Sequence, residues 1–281
     1  MTTATTATAT EPDVTLGIIT WNAKGLMKQL LDSIREHVRD VAYEIVVVDN
    51  DSRDGTKEMI KAEYPEVRLF ENDKNVGVGP ARNRLLDVSR GRYVLSLDND
   101  TTILANDAVA TLVKVMDAHP NAAVGGPKLV YKDGSLQLSC RPFPRPLNIL
   151  LEGTALRKWF GGTRWVLDYT MERWDHASLR DIDWMYGAAL MIRRSVLPKL
   201  GLFDEGFFYL YEDVEFCLRA KHLGYQVLYI PEAVICHHLE REGRSVLSKT
   251  LQVHVRSILR YFRRLYFGYP DGFPGVARVT A

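Results

Sequence analysis

Two carboxylates one residue apart, Asp98 and Asp100, end the apolar run Tyr93-Val-Leu-Ser-Leu-Asp98-Asn-Asp100. Hard oxygen donors at that spacing suit Mg²⁺ or Mn²⁺, a cation that keeps part of its water shell and bridges one or two carboxylates to a diphosphate. The competing reading of the same residues is an acidic turn that caps the next helix. Two further apolar runs stop in the same way, 14–20 on Trp21-Asn22 and Glu44-Ile-Val-Val-Val-Asp49 on Asn50-Asp51. Converging like charges raise one another's pKa and cost stability, so such a cluster calls for a cation, or a base and ribose, to offset it. Asp49 is read as functional. Asp51, Ser52 and Asp54 also offer capping groups, and Asp54 is read as structural.

These groups meet only if several strand ends open on one crevice. Runs at 14–20, 44–49, 67–70 and 93–97 read as strands, and Leu26, Leu30, Ile34 and Val38 recur at helical spacing. Further helices are expected after Asp54-Gly55-Thr56, at 79–88 and at 106–119. Strands alternating with helices of about 10–15 residues imply parallel βαβ units and a doubly wound sheet through the first half. Ligands then sit outside the carboxyl ends of the strands. The loop Gly77-Val-Gly79-Pro-Ala-Arg82 begins like a dinucleotide fingerprint, with Arg82 in place of the third glycine. It offers either backbone N–H groups and Arg82 to a diphosphate, or a plain glycine turn that starts a helix.

The Pro-rich stretch 140–146 breaks the rhythm, and the region up to Asp183 reads as an inserted variable loop. An apolar strand at 185–193, a helix at 213–222 and strands at 225–230 and 233–236 follow. Over 245–267, Leu247, Leu251, Val255, Ile258, Leu259 and Phe262 fall on one side of a helix, with Arg256, Arg260, Arg263 and Arg264 on the other. That basic amphipathic helix suits an anionic membrane, a partner subunit or its own domain.

The composition sets bounds. The 281 residues are 46% hydrophobic and 25% charged, an ordinary globular balance with room for a sizeable core. With 36 basic and 35 acidic residues the net charge is +1, which gives no argument for nucleic acid as a partner. Cys140, Cys217 and Cys236 form neither a CxxC pair nor an even framework, so a reducing compartment is the simpler reading. The Thr/Ala-rich start has neither a charged nor an apolar region of a secretory signal and reads as a disordered tail over 1–13. No apolar run approaches the roughly 18 residues of a membrane span. The expected location is the cytoplasm, with a peripheral position on the cytoplasmic face of the membrane as a further option.

Taken in order, Asn22, Val48-Asp49-Asn50-Asp51-Ser52-Arg53-Asp54-Gly55-Thr56, Asn75-Val76-Gly77 with Asn83, Leu97-Asp98-Asn99-Asp100, Gly187-Ala188-Ala189, Phe203-Asp204-Glu205 and Tyr211-Glu212-Asp213 resemble family 2 glycosyltransferases of GT-A fold, in the manner of their bacterial rhamnosyltransferase-like branch. The resemblance covers about 14–238. It implies a nucleotide-sugar-binding half over 14–131 and an acceptor-binding and catalytic half over 132–240, while the C-terminal amphipathic helix and tail over 241–281 are read from the residues alone. It also implies roles. The donor side would comprise Thr20, Asn22, Asp49, Asp51, Asn75, Gly77, Arg82, Asn83 and Asp98, and the acceptor side Trp184, Gly187, Ala188 and Glu212. Asp98 and Asp100 would hold the metal with His237 or His238, of which at most one can face the crevice because neighbours on a strand point opposite ways. Asp213 would be the general base.

Chemistry supports that last assignment. Inverting glycosyl transfer needs a carboxylate to take the acceptor proton while a cation neutralises the departing nucleoside diphosphate. Glu212 and Asp213 lie about 100° apart on a helix N-terminus, so one should face the sugar while the other caps or orients. Phe207, Phe208, Tyr209 and Tyr211 make either a sugar platform or core, with core expected for at least two. The expected function is metal-dependent, inverting transfer of a sugar from a nucleoside diphosphate-sugar, UDP- or dTDP-linked, to a hydroxyl of a glycan or lipid-linked glycan in cell-wall or polysaccharide biosynthesis. The competing readings are a sugar-nucleotidyltransferase and a catalytically silent nucleotide-sugar-binding protein. Homo-oligomerisation through 245–267 is a further option.

Overall fold

The computed structural model describes residues 11–152, 157–239, 249–270 and 272–280. Four strands, β1 (Val14–Thr20), β2 (Tyr43–Asp49), β3 (Val67–Glu71) and β4 (Tyr93–Asp98), pair in parallel in the order β3-β2-β1-β4. They are joined by α1 (Lys24–His37), α2 (Thr56–Glu63) and α3 (Val78–Val88). β1, β2 and β4 are buried on both faces, which is why they read as near-continuous apolar runs, whereas β3 at the sheet edge is only half-buried. Ile45 and Val47 meet α1 and α2 through Met27, Leu30 and Ile60, while Val46 and Val48 meet α3 through Ala81 and Leu85.

The second half completes the sheet with mixed directions. β5 (Thr101–Ile103), α4 (Ala108–Ala118) and β6 (Ala122–Val130) lead into a region with β7 (Cys140–Arg141), the short helices α5 (Pro146–Glu152), α6 (Arg157–Phe160) and α7 (Arg164–Tyr169), and β8 (Arg180–Asp181). The strand expected over 185–193 is in fact two. β9 (Trp184–Met185) pairs with β7 in a small second sheet, and β10 (Ala189–Arg193) enters the main sheet antiparallel between β4 and β6. After α8 (Leu197–Leu200) and α9 (Glu212–His222), the two strands expected at 225–230 and 233–236 form one, β11 (Gln226–His237). Its pairing with β6 slips between Ile230 and Val234, so the strand continues past Pro231, which has no N–H to donate. The order is β3-β2-β1-β4-β10-β6-β11-β5, with β8 beside β11.

α10 (Lys249–Phe267) and α11 (Val276–Thr280) close the chain. Residues 1–10 of the expected tail and 245–248 of the expected amphipathic helix lie outside the described residues. Asp13, assigned to the tail by sequence, is bound: its N–H donates to Ala42 O at 2.8 Å and its carboxylate meets Arg92 at 2.7 Å.

Candidate active site

The strand directions explain how distant residues come together. Thr20 lies beside Asp49 and Ile19 beside Asp98, so β1, β2 and β4 end at one edge. Because β10 runs the other way, its beginning arrives at that edge, and Asp98 N–H donates to Ala188 O at 2.9 Å. From Asp98 the chain turns into β5, which pairs with the end of β11, His237 beside Thr101, while His238 N–H donates to Asp100 O at 2.8 Å. The start of α9 adds Glu212 and Asp213.

On the β1–β2 side, Asp49 is buried. Its Oδ1 accepts Ser52 N–H at 2.8 Å, and its Oδ2 has no hydrogen-bond partner. Asn22 ties two loops together, donating its N–H to Ser52 Oγ and accepting Arg53 N–H at 2.7 Å. Asp51 pairs with Arg53 at 3.0 Å, and Thr20 Oγ1 accepts Asn99 Nδ2 at 3.3 Å. Asp54 accepts the N–H groups of Lys24 and Thr56, as a structural residue would.

Other predicted donor residues point elsewhere. Asn75 Oδ1 accepts Gly77 N–H within its own turn, and Gly77 has φ 88 with Phe208 packed where a side chain would stand. Asn83 is buried between Phe203 N–H, Phe203 O and Glu205. Arg82, expected at a diphosphate, is instead buried beneath the crevice. It donates to Glu212 Oε1 at 2.9 Å, Gly187 O at 2.9 Å and Asp98 Oδ1 at 3.4 Å, because its place one turn into α3 directs it under the sheet edge. On the acceptor side, Trp184 is buried with Nε1 on Pro142 O.

Asp98, Asp100 and His237 offer ligand atoms within 4.8 Å of one another. His237 Nε2 lies 3.4 Å from Asp100, and its Nδ1 is 2.7 Å from Gln137 Oε1, a contact that fixes the ring and directs Nε2 to the carboxylates. Burial would lower the His237 pKa, but Asp100 and Asp98 hold it above the usual value. His238 points the other way, with Nε2 on Thr102 Oγ1 at 2.6 Å. Two carboxylates and one imidazole, oriented by an outer amide, fit Mn²⁺ or Mg²⁺.

Glu212 and Asp213 differ in environment. Glu212 is buried on Arg82 with Oε2 unpartnered, and burial, then the charge of Asp213, push its carboxyl up to about 7. Asp213 is half-buried at the crevice. Its Oδ2 accepts Gly187 N–H and its Oδ1 accepts Val214 N–H, both at 2.8 Å. Burial raises its pKa against the opposing charge of Arg82. Among the aromatic residues before them, Phe207 is core and Tyr211 half-buried against α10, while Phe208 and Tyr209 are 48% and 47% exposed.

A family model, Glycosyl transferase family 2, matches residues 15–200. An N-acetylglucosaminyl-diphospho-decaprenol L-rhamnosyltransferase of Mycobacterium tuberculosis is 31% identical over 238 residues, 80% of this chain and 76% of that protein. The chain belongs to glycosyl transferase family 2. It is an enzyme of the hexosyl- or rhamnosyltransferase type. Rhamnosyltransferase WbbL of Escherichia coli is similar over a shorter stretch, 32% identical over 83 residues, 30% of this chain and 31% of that one. The fold of this glycosyltransferase, a mostly parallel α/β sheet of the GT-A kind, is shared with a mannosyltransferase of Pyrobaculum calidifontis in complex with GDP-Man and Mn²⁺. The TM-score is 0.60 at 23% identity, over 91% of this chain and 65% of that one. It is also shared with S. aureus TarS in complex with UDP, at TM-score 0.59 and 18% identity, over 95% of this chain and 68% of that one.

Three features of this glycosyltransferase escaped its sequence. Gln137 reaches His237 across 100 residues of chain. Arg82 acts below the crevice. Tyr209, 47% exposed, carries a phenol whose pKa is raised by burial and then by the negative charges of Asp98, Glu212, Asp100 and Asp213. Nothing in the local sequence marks Gln137, and although Arg82 stands in the glycine-rich loop and Tyr209 in the aromatic cluster, local pattern does not show the distant groups that each of them meets.

Proposed function

We propose that this glycosyltransferase moves a sugar from a nucleoside diphosphate-sugar to a hydroxyl of a glycan or lipid-linked glycan, with inversion at the anomeric carbon. The observation that carries the reading is Asp213, the open carboxylate of a pair, at the same sheet edge as Asp98, Asp100 and His237. Asp213 takes the proton of the acceptor hydroxyl as its oxygen bonds to the anomeric carbon, and the bond to the diphosphate oxygen breaks with its electrons on the leaving group. One displacement inverts the configuration. Asp98, Asp100 and His237 would hold Mn²⁺ or Mg²⁺, which when bound supplies positive charge to the diphosphate. Arg82 holds Glu212 and Asp98 in place, and Gly187 N–H orients Asp213. We take a UDP- or dTDP-sugar as the donor; the Oδ2 of Asp49 lacks a hydrogen-bond partner, and the N3–H of uracil or thymine is one donor that would satisfy it.

Asp100→Ala should remove the metal-dependent part of UDP affinity. Calorimetry with UDP, in Mn²⁺ and in chelator, tests this: equal affinity under both conditions in both proteins would refute the metal assignment. In the wild type, a panel of donors should release nucleoside diphosphate. Release of pyrophosphate would instead indicate nucleotidyl transfer, and binding without turnover a silent protein.

The outer face of α10 fits the surface on which a lipid-linked acceptor resides. Leu259 and Phe267 are 64% and 80% exposed, Val255 and Tyr266 are also exposed, and Arg256 and Arg263 flank them. Arg260 and Arg264, expected on that basic face, turn inward to Asp204. Among the described residues no helix is long and apolar enough to cross a membrane. The contact we propose is peripheral, by apolar burial and arginine attraction to anionic lipid. The protein should float with anionic vesicles at low salt and less with neutral ones, and no flotation at low salt would eliminate the membrane contact.

A further inference from the structure

The loop that leads into Glu212 and Asp213 is held from two sides. From α3, Val78 N–H donates to Phe208 O at 2.8 Å, and Gly79 leaves room for Phe207 O, which a Cβ would meet at 2.9 Å. From α10, four N–H donors converge on Asp204, whose side chain is only 4% exposed. Arg260 Nε and Nη2 reach it at 3.0 and 2.6 Å, and Arg264 Nε and Nη2 at 3.3 and 3.1 Å. Ser257 Oγ donates to Tyr209 O at 3.0 Å, and the Tyr211 ring lies 5.4 Å from the buried Tyr261. Gly206 lets Arg260 cross, since a Cβ there would collide with the guanidinium.

Apolar packing alone would not produce this arrangement. Burying a carboxylate against two guanidinium groups carries a desolvation cost that an apolar contact avoids. What the forked donors add is fixed geometry between helix and loop. The loop requires it, because Leu210 and Tyr211 are both left-handed, with φ 65 and 71, and L side chains hold that conformation only where their surroundings impose it. The strained pair stands directly before Glu212 and Asp213. Release of the loop would take Asp213 from Gly187 N–H. Asp204, Asp213 and α10 all lie beyond the 15–200 segment that the family model matches.

We propose that α10 is a positioning latch for the active site: Arg260 and Arg264, acting through Asp204, and Ser257, acting through Tyr209, hold the loop that sets Asp213 at the acceptor hydroxyl. Its activity consequence rests on the glycosyl-transfer reading, whereas its structural consequence does not. The test compares the full chain with Arg260→Ala plus Arg264→Ala, with Arg260→Lys and with Ser257→Ala. Amide hydrogen exchange at Gly206, Phe207 and Glu215 should rise about tenfold or more in the double variant while the β1 and β4 amides are unchanged. The kcat for nucleoside diphosphate release in Mn²⁺ should fall by roughly 10- to 100-fold, the scale of a small misplacement of a reacting group. UDP affinity in Mn²⁺ should stay within about threefold, since Asp49 is held by Ser52 N–H and Asp98 by Arg82. Arg260→Lys keeps the charge without the fork and should fall between wild type and the double variant. Ser257→Ala removes one hydrogen bond and carries the same comparison if the double variant does not fold. Unchanged loop exchange overturns the latch. So does turnover within about twofold of wild type in a variant whose loop has loosened, or UDP affinity that falls in step with kcat, which marks a merely structural role. If Asp213→Asn keeps full turnover, the base assignment fails, while the exchange comparison still decides whether the latch exists.

Discussion

Asp213→Asn is expected to lower kcat by about 10²-fold or more while UDP affinity in Mn²⁺ survives, because the amide keeps the shape of the carboxylate but cannot accept the acceptor proton. The asparagine oxygen still receives the Gly187 and Val214 N–H groups that now hold Asp213, so the local backbone should be retained. Glu212→Gln should cost less, since Glu212 is turned away onto Arg82. The pH profile adds a second readout with a defined sign. A base must be ionised, so the rate falls as pH drops through its pKa, and burial places that limb above the ordinary aspartate range. Melting curves separate a catalytic loss from a folding loss. Near-full turnover in Asp213→Asn together with an inactive Glu212→Gln, both folded and both binding UDP, would exchange the two roles.

Arg82→Ala should destabilise the protein by about 3–5 kcal/mol near pH 8, lowering the melting temperature by on the order of 10 °C. The loss comes less from the ion pair itself than from what stays behind, a buried Glu212 carboxylate without its cation. The deficit should shrink toward about pH 5.5. Glu212 is raised in the folded protein, so folding favours its protonated form, and that contribution is lost as pH rises through the folded pKa. Removing Arg82 raises this pKa further, and at low pH a neutral Glu212 can sit in the pocket at little cost. Adding Glu212→Gln to Arg82→Ala should recover more than about 1 kcal/mol at the higher pH. Melting within about 2 °C of wild type at pH 8, or a double variant no better than the single one, would count against Arg82 as the counter-charge.

Local pattern alone determined the parallel half of the fold and the strand-end acids. Continuous Val/Ile/Leu runs have to be buried on both faces, and strands so buried, alternating with amphipathic helices, leave little choice but a doubly wound sheet. Asp49, Asp98 and Asp100 were legible for the same reason, since the residue after a buried strand opens on the carboxyl edge. The second half was not legible in this way. Periodicity reports which face of a segment is buried but not the direction in which a strand enters a sheet, so 185–193 read as one strand although only Ala189–Arg193 joins the main sheet. That reversal delivers Gly187 to Asp213 and Ala188 to Asp98. His237 and His238 were an undecided pair until Gln137, 100 residues distant, fixed one ring toward Asp100. Arg82 read as a phosphate ligand because an arginine at a helix start usually meets solvent, and only the arrival of Glu212, 130 residues on, beside it made it a buried counter-charge. The arginines of α10 divided likewise, two inward to Asp204 and two outward, because a helical repeat fixes the angular positions of side chains but the tertiary partner decides which of them are covered.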